Sequence, residues 1–104
     1  MTTFDDRQRA QEAKFARDDD LRFRAEARRN RLLGQWAAQL LGKSGDEASQ
    51  YAMSVVTTDF DEPGDEDVLR KLLADLQGKA NEVEIRGKMA ELRQTAREQI
   101  EAEG

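Results

Sequence analysis

Between Thr2 and Leu41 the chain contains no proline and a single glycine, Gly34. The stretch is built mainly of Ala, Arg, Gln, Glu, Asp and Leu, so little in it opposes a helix. What changes along it is the apolar pattern. From Leu21 onward, Leu21, Ala25, Leu32, Leu33, Trp36, Ala37, Leu40 and Leu41 recur at helical spacing and form a stripe that must pack against other elements. Before Asp18 the only large apolar residues are Met1, Phe4 and Phe15, set among charges of both signs. Asp18-Asp19-Asp20 lies between the two halves, and short acidic side chains there favour a helix start. The expectation is an anchored helix from about Asp20 to Leu41. An extended, partly mobile helical arm, residues 1–18, precedes a domain of residues 19–104.

The remaining chain is short of strand material. Its one β-branched run is Val55-Val56-Thr57-Thr58, and its one proline is Pro63. With 38% charged and 38% hydrophobic residues over 104 positions, one small all-α domain is expected. Ser44 with Glu47 three residues on predicts a capping box opening a second helix. Ala48, Tyr51, Ala52, Val55, Val56 and Phe60 would face its core. After Pro63-Gly64, Asp65-Glu66-Asp67 places negative charge on the first turn of a third helix, where the helix dipole favours it. Val68, Leu69, Leu72, Leu73 and Leu76 form that helix's apolar face, ended by Gly78. Asn81 and Glu84 repeat the capping pattern before a fourth helix, with Val83, Ile85, Met89, Leu92, Ala96 and Ile100 at spacings of mostly three and four. Short linkers make neighbouring helices antiparallel, so the pattern predicts an up-down-up-down four-helix bundle.

Composition narrows the chemistry. The chain has neither cysteine nor histidine, which removes disulfides, thiolate sites, the commonest general base and the commonest metal ligand. No apolar run approaches the length of a membrane span, and Met-Thr-Thr-Phe-Asp-Asp lacks the layout of a signal peptide; a cytosolic protein without membrane insertion is expected. Residues 1–31 hold nine Lys/Arg against seven Asp/Glu, and residues 32–104 eight against fifteen. An acidic body repels phosphate, so a protein partner is favoured over nucleic acid.

Motif searches exclude more than they find. Asp59-x-Asp61-x-Pro63-Gly64 begins like a calcium loop, but proline stands at position 5 and Arg70 occupies position 12, where a bidentate glutamate belongs. Gly42-Lys43-Ser44 imitates the end of a phosphate loop, but Ala37 stands where the first glycine is needed and a helix replaces the preceding strand. The many carboxylates fall on faces expected to be exposed, with nothing to shift a pKa. Neither an enzyme nor a cofactor or metal site is expected. Arg24, Arg28 and Arg31 share one face of the first helix, with Asp20 and Glu26 as compensating charges. That strip is either a secondary docking site for an acidic protein surface or a solvated face with stems lying over the core.

Several runs resemble the zeta subunit of the F-type ATP synthase of alphaproteobacteria. They are Phe4-Asp5-Asp6-Arg7, Ala13-Lys14-Phe15, Phe23-x-Ala25-Glu26-Ala27-Arg28-Arg29-Asn30, Leu32-Leu33-Gly34, Trp36-Ala37-Ala38, Leu40-Leu41-Gly42-Lys43 and Gly64-Asp65-Glu66-Asp67-Val68. The resemblance covers nearly the whole chain, and Phe23 to Lys43 is its most specific part. It implies a four-helix bundle that inhibits ATP hydrolysis by inserting its N-terminal segment between an alpha and a beta subunit. Carried over by position, the partner-binding residues are Thr3, Phe4, Asp5, Asp6, Arg7, Arg9, Glu12, Lys14 and Phe15. The implied partners are the alpha and beta subunits, with the gamma subunit a further candidate. The protein would be a monomer when free, held peripherally at the cytoplasmic side of the inner membrane through the enzyme. The residues agree independently: a helical arm of about 17 residues reaches roughly 25 Å and carries two aromatic anchors. Two other readings stay open, a helical adaptor acting through the bundle and a small nucleotide- or metabolite-sensing bundle.

Overall fold

The structure, a computed structural model, describes the backbone of residues 3–61 and 64–103 and the side chains of residues 20–59 and 64–103. Four helices follow one another: α1 (Thr3–Leu40), α2 (Gly45–Asp61), α3 (Asp65–Asp75) and α4 (Glu82–Glu103). There is no strand among the described residues. Each helix packs on its neighbour in the chain, and α4 closes back on α1.

The first helix departs from expectation. It runs unbroken for 38 residues, so Asp18-Asp19-Asp20 starts nothing and is ordinary helix interior. A local preference for capping is weak beside the continuous hydrogen-bond ladder on both sides. At 1.5 Å per residue α1 is about 57 Å long, most of the molecule's 65 Å long axis. Its end is as expected: Gly42 takes φ 73°, the Lys43 N–H donates to the Ala38 carbonyl at 2.9 Å and the Gly42 N–H to Gln39 at 3.1 Å. This double closure satisfies carbonyls the helix would otherwise leave bare.

The two expected capping boxes differ in outcome. At α4 both halves form: the Glu84 N–H donates to Asn81 Oδ1 at 2.8 Å, and the Asn81 N–H to Glu84 Oε1 at 3.4 Å. At α2 the helix starts at Gly45, and no such bond joins Ser44 to Glu47 among the described residues.

The core is made by Leu33 and Ala37 of α1, Val55 of α2, Val68, Leu69 and Leu72 of α3, Leu76 after it, and Ile85 and Met89 of α4. Trp36, Leu41, Tyr51, Leu73 and Leu92 pack around it, half-buried. Two residues placed on apolar stripes do not belong there. Val83 is 80% exposed and Leu40 38% exposed. The α4 stripe begins at Ile85, two residues later than the spacing predicts. Phe60's side chain lies outside the described residues.

Gly34 faces α2. A Cβ at that position would stand 2.5 Å from the Ala52 Cα, so the two helices cross in backbone contact. The missing side chain at Gly34 and the small one at Ala52, 2% exposed, set this close approach. The α1–α4 contacts run antiparallel, with Arg28 against Gln99 and Lys88 over the Trp36 ring.

Candidate functional site

Helix α4 ends beside the middle of α1. The Arg28 Nη1 donates to Gln99 Oε1 at 2.8 Å, and its Nη2 lies within 3.0 Å of both Glu103 oxygens. Arg24 approaches Glu103 at 4.0 Å. Because α4 stops at Glu103, the part of α1 before about Leu21 runs on past the C-terminal end of α4. The backbone of Thr3, Phe4, Asp5, Asp6, Arg7, Arg9, Glu12, Lys14 and Phe15 belongs to this extension. Their side chains lie outside the described residues.

Of the three arginines read as a docking strip, each has a different role. Arg28 is the clamp just described, its side chain 19% exposed. Arg24 is half-exposed, and Arg31 is exposed with no hydrogen bond or ion pair to any described side chain. The charge that balances Arg24 and Arg28 comes from Glu103, far along the chain, rather than from Asp20 or Glu26. Beside the arginines a groove of about 320 Å³ opens between α1 and α2, lined also by Phe23, Ala27, Met53, Val56 and Ile100. Phe23 is 60% and Met53 54% exposed.

A second cluster escaped sequence reading. Arg29 and Asn30 are each 1% exposed, the two buried polar side chains among the described residues. They precede Leu33 and Gly34 by one turn and Ala37 and Ala38 by two, so their phase was available as a signal; their polarity hid it. The Arg29 Nη2 donates to Asp65 Oδ1 at 3.0 Å, and the Arg93 Nη2 to Asp65 Oδ2 at 2.7 Å. One carboxylate at the start of α3 thus joins α1 to α4. Burial alone would raise the Asp65 pKa, but the hydrogen bonds and charges of Arg29 and Arg93 outweigh it and hold it below its ordinary 3.8. The cost of burying the guanidinium is only partly offset, since Nε and Nη1 of Arg29 bond no described atom.

A third cluster joins α2 to α3. The Tyr51 hydroxyl donates to Asp75 Oδ2 at 2.8 Å, and Lys71 Nζ reaches the same oxygen at 3.0 Å while lying over the Tyr51 ring. Burial and the adjacent Asp75 carboxylate push the phenol pKa up. Asp75 is itself held low: burial opposes the shift, and the Lys71 and Tyr51 hydrogen bonds prevail. Each perturbed carboxylate is thus occupied in tying helices together. Among the described residues no group of three or more acidic side chains is arranged to hold a metal ion, and no helix is long and apolar enough to cross a membrane.

Comparison with known proteins accords with this architecture. No curated protein sequence matches the chain. A solved structure, described as a solution NMR structure, is 54% identical with a TM-score of 0.74, covering 81% of this chain and 99% of that one. A family model described as ATPase inhibitor subunit zeta matches residues 1–99, and therefore includes both the α1 extension and the helices that carry it. The chain belongs to the ATPase inhibitor subunit zeta family.

Proposed function

We propose that this protein blocks ATP hydrolysis by the catalytic sector of an F-type ATP synthase, its residues 1–18 entering an interface between an alpha and a beta subunit. Residues 19–104 form the up-down-up-down bundle that carries this arm. The carrying observation is the extension of α1 past the end of α4 at Glu103, in a chain whose family is that of an ATPase inhibitor. A helix that runs on past the end of its bundle neighbour has surface to give to a partner. Phe4 and Phe15 supply apolar anchors, while Asp5, Asp6, Arg7, Arg9, Glu12 and Lys14 complement a polar cleft, with Thr3 at its leading edge. The gamma subunit is a further candidate partner. The protein acts without catalysis of its own, as a monomer held peripherally at the cytoplasmic side of the inner membrane through the enzyme.

The test is steady-state ATP hydrolysis by the isolated catalytic sector, titrated with full-length protein and with protein lacking residues 2–17. Inhibition is expected from the first and none from the second. Equal inhibition by both would move the active surface to the bundle, the adaptor reading.

A further inference from the structure

We infer that the groove between α1 and α2 is a second docking surface, taking an acidic, apolar-tipped segment of an alpha or beta subunit at the rim of the catalytic interface. The inference rests on the arm reading above, and concerns what the bundle does once the arm is in place.

Two of the four large hydrophobic side chains exposed among the described residues, Phe23 of α1 and Met53 of α2, line this one groove. The other two, Leu40 and Val83, stand apart at a helix end and a helix start. Half-buried Val56 lines the same groove, making a continuous apolar strip rather than a scattered pair. An unbranched methionine beside an aromatic ring adapts to a partner's shape.

The charged side chains that line the strip are all arginines. Arg24 and Arg31 flank it on α1, seven residues or about 10 Å apart along the helix, and no carboxylate lines the groove. Arg28, between them, is committed to Gln99 and Glu103, whereas Arg24, half-exposed, meets Glu103 only at 4.0 Å and Arg31 bonds no described side chain, so Arg31 and the loosely held Arg24 are the cations a ligand can engage. In a chain of net charge −5, a cationic apolar groove selects against its own acidic body and for an acidic partner. The fitting segment carries an apolar side chain between two carboxylates about two helical turns apart.

Position names the partner. Phe23 follows Phe15 by eight residues on the same unbroken helix, about 12 Å further along. If the arm is inserted to Arg17, the groove stands just outside the cleft and meets the lip of the subunits that form it. The bundle then acts as a second contact on a rigid rod, slowing release of the arm.

The test uses the full-length protein on immobilised catalytic sector, with association and dissociation followed directly and ATP hydrolysis assayed in parallel. The double variant Phe23→Ala/Met53→Ala should weaken binding by about tenfold or more, chiefly through faster dissociation. Its inhibition at saturation and its thermal unfolding should match the native protein. Arg24→Gln/Arg31→Gln should slow association and flatten its dependence on salt. These exposed arginines provide the second route should the apolar variant fail to fold. Native affinity in either folded double variant would overturn the proposal, as would a solution dimer that the apolar variant dissolves, since a second copy would then be the occupant. Native protein that binds without inhibiting defeats the arm reading alone, because the same variants still report on the groove. Absence of any binding would overturn both.

Discussion

Gly34 occupies a position where any side chain would meet backbone. Replacing it with alanine should gain about 1 kcal/mol of helix propensity. A Cβ placed 2.5 Å from the Ala52 Cα must instead push α1 and α2 apart, because no rotamer can relieve a clash with backbone. Overpacking of this kind costs about 1–3 kcal/mol, so Gly34→Ala should lower the denaturation midpoint in urea; an unchanged or higher midpoint would show that the crossing is looser. Asp65 makes the second residue-scale prediction. Its pKa is lower folded than unfolded, so its stabilisation is complete above the ordinary carboxylate value of 3.8 and is lost as the pH falls through the depressed folded value. Asp75 adds in the same direction. Asp65→Asn should therefore lower stability at neutral pH and flatten its decline in acid, measured by thermal unfolding at pH 7 and at successively lower pH. An acid profile parallel to that of the native protein would contradict the assigned linkage.

The elements divide by what surrounds them. Helix α1 has one continuous backbone ladder but two environments, packed in the bundle with one face buried from Arg29 to Ala38 and beyond the end of α4 before Leu21. A helix without tertiary support holds its hydrogen bonds weakly. Amides of residues 3–17 should exchange with solvent faster than those of residues 32–41, and equal protection would require the arm to pack on the bundle. For the same reason a chain beginning at Asp19 should keep a cooperative thermal transition, since the core that joins all four helices among the described residues lies beyond that point. Loss of cooperativity would make the arm part of the fold.

At the scale of the molecule, the acidic body and mildly basic front make the proposed insertion sensitive to ionic strength. Charge changes at Arg7, Arg9 or Lys14 should weaken inhibition in a way that depends on salt, because exposed charges are screened. Phe4→Ala and Phe15→Ala should each weaken it by about 1 kcal/mol or more with little salt dependence. Inhibition titrations of both sets at low and high ionic strength separate these contributions. Identical salt dependence would mean that the arginines and lysine of the arm stay in solvent.

Much of the fold was legible in the residue pattern, and the reasons are local. Apolar spacing identifies the buried faces of the helices because a helix repeats every 3.6 residues whatever it packs against. Gly42 marks the end of α1 because a left-handed closing residue favours glycine, and Asn81 with Glu84 marks the start of α4 because the cap bonds within four residues. The family resemblance was carried by runs of adjacent residues, which need no tertiary information to recognise. What depended on distance in sequence was decided only by the fold. Asp18-Asp19-Asp20 reads as a helix start until the ladder runs through it, and Val83 fits the α4 stripe until packing leaves it in solvent. Arg24, Arg28 and Arg31 look equivalent on one helix face, yet the end of α4 arrives beside two of them and engages Arg28 most closely. Arg29 and Asn30 look like surface residues until α3 delivers Asp65 to Arg29 and the bundle closes over both. Local hydrogen bonding and periodicity belong to the chain itself. Partners separated by tens of residues exist only once the helices pack, and those partners decide which charges remain available to another protein.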